Sequence, residues 1–250
     1  MTSPLPDDPK TSGYHLWRCL TFLHWRIDAG QLRSLIPADL KIDEFDGSAW
    51  LGLVPFSMER IRPWWSPPVP GISWFLETNV RTYVTDKSGT PGVWFFSLDA
   101  NQWLAVKLAR QFWHLPYEHA TLQLNERSSS EPHRAPANLT YSGIRKMNPA
   151  VCYNLEIEPA SSEYRTSPPG SLEEFLLERY VLFAERPGGR LFSGQVHHTP
   201  YQFVPAKVRT LSQTMTRPVT PAITPQQAPV HVAFSPGVHV RVSPIRPLPG

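Results

Sequence analysis

Phe75-Leu-Glu-Thr-Asn-Val-Arg-Thr-Tyr-Val84 alternates with a period of two. Successive side chains of a strand point to opposite faces, so Phe75, Glu77, Asn79, Arg81 and Tyr83 share one face, while the other is apolar or threonine. A charged strand face ordinarily looks into solvent. Here a Phe and a Tyr flank the charges, as they would along the lumen of a small barrel that holds a ligand. The stretch predicts a β fold and leaves two settings for its charged face, bulk water or a barrel interior.

Downstream, Lys87-Ser-Gly89 is a turn and Gly92-Val-Trp-Phe-Phe-Ser-Leu98 a second apolar strand, so the strand from Trp74 to Val84 becomes one arm of a hairpin. Upstream, His15 to Ile27 predicts a strand. Asp28 then caps a short helix with Leu32, Leu35 and Ile36 on one face, and Pro37 ends it. Asp46-Gly47 marks a turn into the strand Ala49 to Phe56. Residues 60–72 hold four prolines and predict a loop that folds Trp64 and Trp65 back over apolar surface, since exposing both is costly.

Asp99 predicts the cap of the longest helix, with Ala100, Trp103, Leu104, Lys107, Leu108 and Phe112 at helical spacing and Pro116 as its stop. Segments near 117–125, 138–145 and 151–158 predict a meander. Ser171-Leu-Glu-Glu174 forms a capping box for a helix through Arg179. Pro187-Gly-Gly189 joins strands near 181–186 and 190–197. A Pro-rich connector is expected over 205–228, and alternation from Val230 to Val242 around Ser235-Pro-Gly237 predicts a C-terminal hairpin. The chain is therefore mainly β with a few short helices: a disordered tail at 1–13, one domain over 14–246, and a tail at 247–250.

Composition supports this. Hydrophobic residues at 41% and aromatics at 12% belong to a chain that buries bulky rings, and 28 prolines favour short strands and loops over helices. A net charge of +3 falls short of the concentrated basic stripe that nucleic-acid binding requires. Cys19 and Cys152 stand far apart, with no C-x-x-C pair, which indicates neither a disulfide framework nor a thiolate metal site and suits a reducing cytoplasm. No run of 18 apolar residues and no secretory leader are visible, so neither membrane nor secretion is expected. A homo-oligomer is compatible with all of this.

The segment Ala109-Arg-Gln-Phe-Trp-His-Leu-Pro-Tyr-Glu-His-Ala120 lies where the helix turns into a strand, a junction at which a scaffold presents reactive groups. It offers Arg110, Tyr117, Glu118 and His119. The plain alternative is an Arg110 paired with a carboxylate and a Tyr117 that is an ordinary core aromatic. No metal site is expected: His114, Glu118, His119 and the adjacent His197-His198 lack ligand spacing. No nucleophile elbow or phosphate-cradling glycine loop occurs, and no cofactor is implied.

Phe22-Leu-His-Trp25, Asp46-Gly-Ser-Ala-Trp50, Phe75 to Tyr83, Gly92-Val-Trp-Phe-Phe-Ser-Leu-Asp99, Ala109-Arg110, Leu115-Pro-Tyr117 and Glu178-Arg-Tyr180 together resemble the YqjF-like family of uncharacterised bacterial proteins. That family is similar, more distantly, to the acetoacetate decarboxylase superfamily, which implies a closed or nearly closed β barrel with a central cavity. The decarboxylases carry an Arg, five residues, then Pro-Lys-Lys, the first lysine forming the Schiff base. Here Arg110 is followed five residues later by Pro116, Tyr117 and Glu118. A tyrosine cannot form an imine, and Glu118 would raise a neighbouring amine's pKa.

The superfamily's pocket glutamate carries over onto Glu77, forty positions before Tyr117, and its first-strand arginine falls near Arg18. Glu77 and Tyr117 are thus the candidate catalytic pair, and Arg18, Arg81, Arg110, His24 and His119 the candidate ligand-binding set. The resemblance implies binding of a small carboxylate or carbonyl compound without Schiff-base decarboxylation. A lyase or hydratase using Glu77 and Tyr117 as acid and base, and a non-catalytic scaffold, are the alternatives.

Overall fold

The computed structural model describes residues 11–104, 106–107, 111, 115–127 and 135–248. Residues 1–10 of the expected tail, and Arg110 and His114, lie outside them. The first half of the chain gives β1 (Gly13–Ile27), α1 (Ala29–Arg33), β2 (Lys41–Ile42), β3 (Ala49–Pro63), β4 (Phe75–Thr85) and β5 (Pro91–Ala100). The second gives β6 (Tyr117–Arg127), β7 (Asn138–Arg145), β8 (Cys152–Pro159), α2 (Leu172–Leu177), β9 (Val181–Arg186), β10 (Arg190–His197), β11 (Val204–Gln213), β12 (His231–Val242) and β13 (Arg246–Pro247).

Local chemistry sets the turns. Asp46 and Gly47 both have positive φ, and Phe45 and Ser48 exchange two backbone hydrogen bonds around them, as a two-residue primed turn requires. Asp86 closes the β4–β5 turn by accepting from the backbone N–H groups of Ser88 and Thr90. Ser171 accepts from the Glu174 N–H at the start of α2, and the Glu174 carboxylate reaches back to the Gly170 N–H.

The strands close twice. β5-β6-β7-β8-β11-β12-β1-β3-β4 form a nine-stranded barrel, sealed where β4 pairs with β5. β9 and β10 bridge β5 to β12 on the other side and close a smaller ring, β5-β9-β10-β12-β1-β3-β4. The two rings share the wall β5-β4-β3-β1-β12, so alternate residues of that wall face different interiors. Leu23, Trp25, Leu53, Val80 and Val84 enter the core of the larger barrel, with Tyr141 and Tyr153 from the meander. Phe22, Trp50, Val54, Phe56 and Tyr83 enter the smaller ring, with Leu176 and Leu177 of α2. The larger barrel encloses the larger hydrophobic cluster. The charged face of β4 belongs to the smaller ring.

Several expectations are corrected. The strand from Ala49 continues to Pro63, because a bulge at Arg60, with φ of 52°, lets Arg62 pair with Tyr14. Trp64 and Trp65 are 65% and 71% exposed and do not fold back over the body. Asp99 caps no helix. It lies inside β5, and helical backbone begins at Trp103. Leu35 is exposed rather than part of the buried face of α1. Residues 205–213 of the expected connector are strand, Pro205 paired with β12 and the rest with β8, and Pro247 is paired with β10. Ser235-Pro-Gly237 makes no hairpin: β12 runs through it in constant register with β1, and Gly237, with φ of 136°, lets the β1 backbone approach.

Candidate functional site

Glu77 pairs across the β4–β5 ladder with Ala100, and Ala100 pairs in parallel with His119; one row along, Asn79, Leu98 and Tyr117 are aligned in the same way. Paired residues point to the same face, so Glu77, Asn79, Tyr117 and His119 surround two small or apolar residues. Tyr117 reaches across Ala100 and donates its hydroxyl to Glu77 Oε2 at 2.7 Å. The surroundings are apolar: Leu98, Ala100, Val106, Leu115 and Ala184 pack with Tyr117.

Glu77 is 3% exposed. Burial pushes its carboxyl up to about 7 from an ordinary 4.5, opposed by hydrogen bonding from Tyr117 and Asn79 and reinforced by the negative charge of Asp99. Burial, and then the neighbouring carboxylate, raise the Tyr117 phenol well above its ordinary value, so it remains a donor. A carboxyl that changes protonation near neutrality, held by a phenol, suits general acid–base chemistry.

Behind this pair, on the opposite face of the wall, Asp99 accepts two hydrogen bonds from Arg145, at 2.9 Å from Nε and 2.7 Å from Nη2. This buried ion pair ties β5 to the end of β7 and fixes the ladder on which Glu77 and Tyr117 sit. On the same face, Thr78 and Tyr153 share a hydrogen bond of 2.6 Å.

Arg81 lies four residues along β4, about 13 Å from Glu77 at the ordinary strand rise. Its guanidinium sits over Phe22 and Tyr83 and donates from Nη2 to the Leu176 carbonyl of α2 at 3.1 Å. No carboxylate pairs with it among the described residues, and its buried Nε has no partner. Between Glu77 and Arg81, the buried Asn79 Oδ1 is likewise unpaired. Gly52 makes room on β3: a Cβ there would meet His24 at 3.1 Å and Arg81 at 3.4 Å.

His24 completes this end. Tyr83 spends its one hydroxyl proton on the Leu176 carbonyl at 2.8 Å, so His24 Nε2–H donates to Tyr83 at 2.7 Å, and His24 Nδ1 accepts from His231 Nδ1–H at 3.0 Å. The network assigns these tautomers. Both imidazoles are neutral: burial, then His231 and Arg81, hold His24 well below its usual range, and burial holds His231 down to about 4.

The structure thus brings Glu77 and Tyr117 into contact, sets Arg81 and His24 together farther along the same face, and leaves His119 half-buried in the Glu77 row. Arg18 is exposed on β1 and does not join them. Sequence reasoning missed His231, the Leu176 carbonyl and the Asp99–Arg145 pair. Their partners lie between 46 and 207 residues away, and no local pattern reports them. Every described lysine, at 41, 87, 107, 146 and 207, is exposed. Among the described residues no cluster of His, Cys, Asp or Glu is arranged to hold a metal, and no helix is long and apolar enough to cross a membrane.

Comparison with known proteins agrees with this architecture. An acetoacetate decarboxylase-like enzyme from Sphingomonas wittichii RW1 superposes with a TM-score of 0.64, covering 96% of this chain and 94% of its own, at 13% identity. The enduracididine biosynthesis enzyme MppR, complexed with pyruvate, gives 0.63 with 100% and 92% coverage at 12% identity. Acetoacetate decarboxylase from Legionella pneumophila gives 0.59 with 100% and 93% coverage at 12% identity. The fold is therefore an acetoacetate decarboxylase-like β barrel. In sequence, the chain is 34% identical over 200 residues to the uncharacterized protein YqjF of Bacillus subtilis (strain 168), covering 80% of this chain and 78% of that one. The profile of DUF2071, an uncharacterized conserved protein family, matches residues 15–239, and the chain belongs to that family.

Proposed function

We propose that the smaller ring binds a small carboxylate or carbonyl compound along the Glu77–Asn79–Arg81 face, and that no Schiff base forms. One observation carries this reading. Within one interior face, a guanidinium without a carboxylate, an orphaned amide oxygen and a near-neutral carboxyl stand on a single strand. Buried polar groups are ordinarily paired, so a run of unpaired ones on one lumenal face supports a ligand that pairs them. Arg81 supplies the anion contact, Asn79 Oδ1 accepts from a ligand O–H such as that of a hydroxy acid or an enol, and Glu77, held by Tyr117, exchanges a proton. The position where a Schiff-base lysine would stand is Tyr117. The two free cysteines are in keeping with a reducing, cytoplasmic setting.

Because a structural neighbour is complexed with pyruvate, pyruvate and related keto acids are the first probes. Calorimetric titration and thermal shift of the wild type should detect binding of at least one member of a panel of keto acids and simple carboxylates, and Arg81→Gln should abolish it. A flat response across the panel, or binding indifferent to Arg81→Gln, removes the proposal. Borohydride treatment with acetoacetate should leave every lysine unmodified; an adduct would overturn the exclusion of imine chemistry.

The raised Glu77 carboxyl favours a second, catalytic reading of the same site. A lyase or hydratase needs a proton carrier beside the substrate carbonyl but no imine. If turnover of a bound compound is found, Glu77→Gln should eliminate it, and the wild-type rate should change with one ionisation near pH 7. Unchanged turnover in the variant would remove Glu77 from the chemistry.

A further inference from the structure

A cavity of about 570 Å³ lies where β1, β3, β10 and β12 meet, away from Glu77 and Tyr117. Its floor follows from strand register. Arg62 of β3 pairs with Tyr14 of β1, Tyr14 with Arg241 of β12, and Arg241 with His197 of β10. Directly paired residues share a face, so two guanidiniums, a phenol and an imidazole form one row across four strands, about 14 Å long at ordinary strand spacing. Arg60 and His239 also line the cavity, and His15 and His198 complete its four histidines.

Among the described residues, no aspartate or glutamate lines it. Glu59, opposite Leu16, is the acidic residue beside it on β3, and its carboxylate accepts from the Ser57 hydroxyl at 3.2 Å. Arg62 lies over the Tyr14 ring at 4.5 Å and donates from Nη1 to the Ser66 carbonyl at 3.5 Å, which leaves its other in-plane N–H groups for further acceptors. None of Arg60, Arg62 and Arg241 has a carboxylate partner among the described residues.

Two further groups point to a ligand. His198 is 7% exposed; its Nδ1 bonds the Thr199 carbonyl at 2.7 Å, which places the proton there and leaves a buried Nε2 lone pair without a partner. The buried Nδ1 of His15 is also unpartnered. Burial holds both imidazoles down to about 4, so both are neutral. The cavity therefore combines three permanent cations with two buried ring nitrogens, one of them an acceptor for an O–H group.

We infer that this cavity binds the phosphoryl group of a small phosphorylated molecule, with Arg60, Arg62 and Arg241 as anion contacts and His198 accepting from a ligand hydroxyl or a protonated phosphate oxygen. A phosphate monoester carries close to two charges and three acceptor oxygens, which matches several guanidiniums better than one carboxylate does. The volume exceeds that of phosphate alone, and Leu16, Val240 and Pro68 provide an apolar wall for an organic remainder. The concave, short row and the modest net charge of +3 do not fit a polymer backbone.

Calorimetry at low ionic strength with glycerol 3-phosphate, inorganic phosphate, citrate and a short oligothymidylate tests this. Glycerol 3-phosphate should bind, and Arg62→Gln and Arg241→Gln should each weaken it by roughly tenfold or more, as loss of a charge-assisted bond does. Inorganic phosphate binding equally well would make free phosphate the ligand of the same phosphoryl site; weaker binding would identify the ester. Glu77→Gln should change nothing here, so this inference and the function proposed for the smaller ring fail separately. If Arg62→Gln does not fold, because Arg62 packs on Tyr14, the exposed Arg60→Gln gives the same reading. Absence of phosphate binding, binding unaffected by these arginine variants, or retention of citrate or the oligonucleotide alone overturns it.

Discussion

Replacing Glu77 by glutamine keeps the shape of the side chain, leaves an oxygen to accept from Tyr117, and removes one ionisation. Native protein takes up a proton at Glu77 as pH falls through about 7, whereas the unfolded chain does so only near 4.5. A carboxyl whose folded value is raised stabilises the native state fully below the unfolded value, and that contribution is lost as pH rises through the folded one. At about 1.4 kcal/mol per unit, the difference amounts to about 3 kcal/mol. The stability of the wild type minus that of Glu77→Gln should therefore fall by about 3 kcal/mol between pH 4 and pH 8. Urea unfolding of both proteins at several pH values measures it, and contributions of the buried histidines, common to both, cancel in the difference. A difference that stays constant with pH would refute the buried, near-neutral carboxyl.

Tyr117→Phe deletes the hydroxyl that bonds Glu77 Oε2, so the Glu77 ionisation should move further above 7 and the protein lose about 1–3 kcal/mol at pH 8; carboxyl chemical shifts against pH read the first and urea unfolding the second. Arg145→Met strands the buried Asp99 carboxylate and should cost about 3–5 kcal/mol in urea unfolding at neutral pH; a loss below 1 kcal/mol would show that the pair does not hold the ladder. Gly237→Ala forces a Cβ to within 2.0 Å of the Trp17 carbonyl at a φ of 136°, and about 1–3 kcal/mol or more should be lost; tolerance of the change would contradict a continuous β12 against β1.

Local periodicity made most strands legible. The alternation of Phe75 to Val84, the Asp46-Gly47 turn and the Pro187-Gly-Gly189 hairpin reflect chemistry contained within a few residues, and each occurs where that chemistry puts it. The closure into two rings was not legible. It rests on parallel pairing of Val93 with Leu182 and a short contact of Val196 with Val242, neither of which leaves a local trace. Tertiary context overrode local preference at Ser235-Pro-Gly237, where pairing with β1 on both sides outweighs a turn signal. It did so again at Asp99, whose capping potential yields to Arg145, 46 residues away. Glu77 and Tyr117 could be named from resemblance, but their contact depends on the parallel β5–β6 register and on the small Ala100 between them. Arg18 had the right residue type on the right strand, yet it is exposed.

In the function proposed above, the Glu77–Asn79–Arg81 face of the smaller ring holds a small carboxylate or carbonyl ligand without covalent attachment. A crystal structure of the protein soaked in pyruvate tests it most directly. Density for the ligand should lie inside the smaller ring, with its carboxylate against Arg81 or its carbonyl against the Glu77–Tyr117 pair, and with no bond to any lysine. A smaller ring filled by side chains with no ligand density, or pyruvate joined to a lysine Nζ, would contradict it.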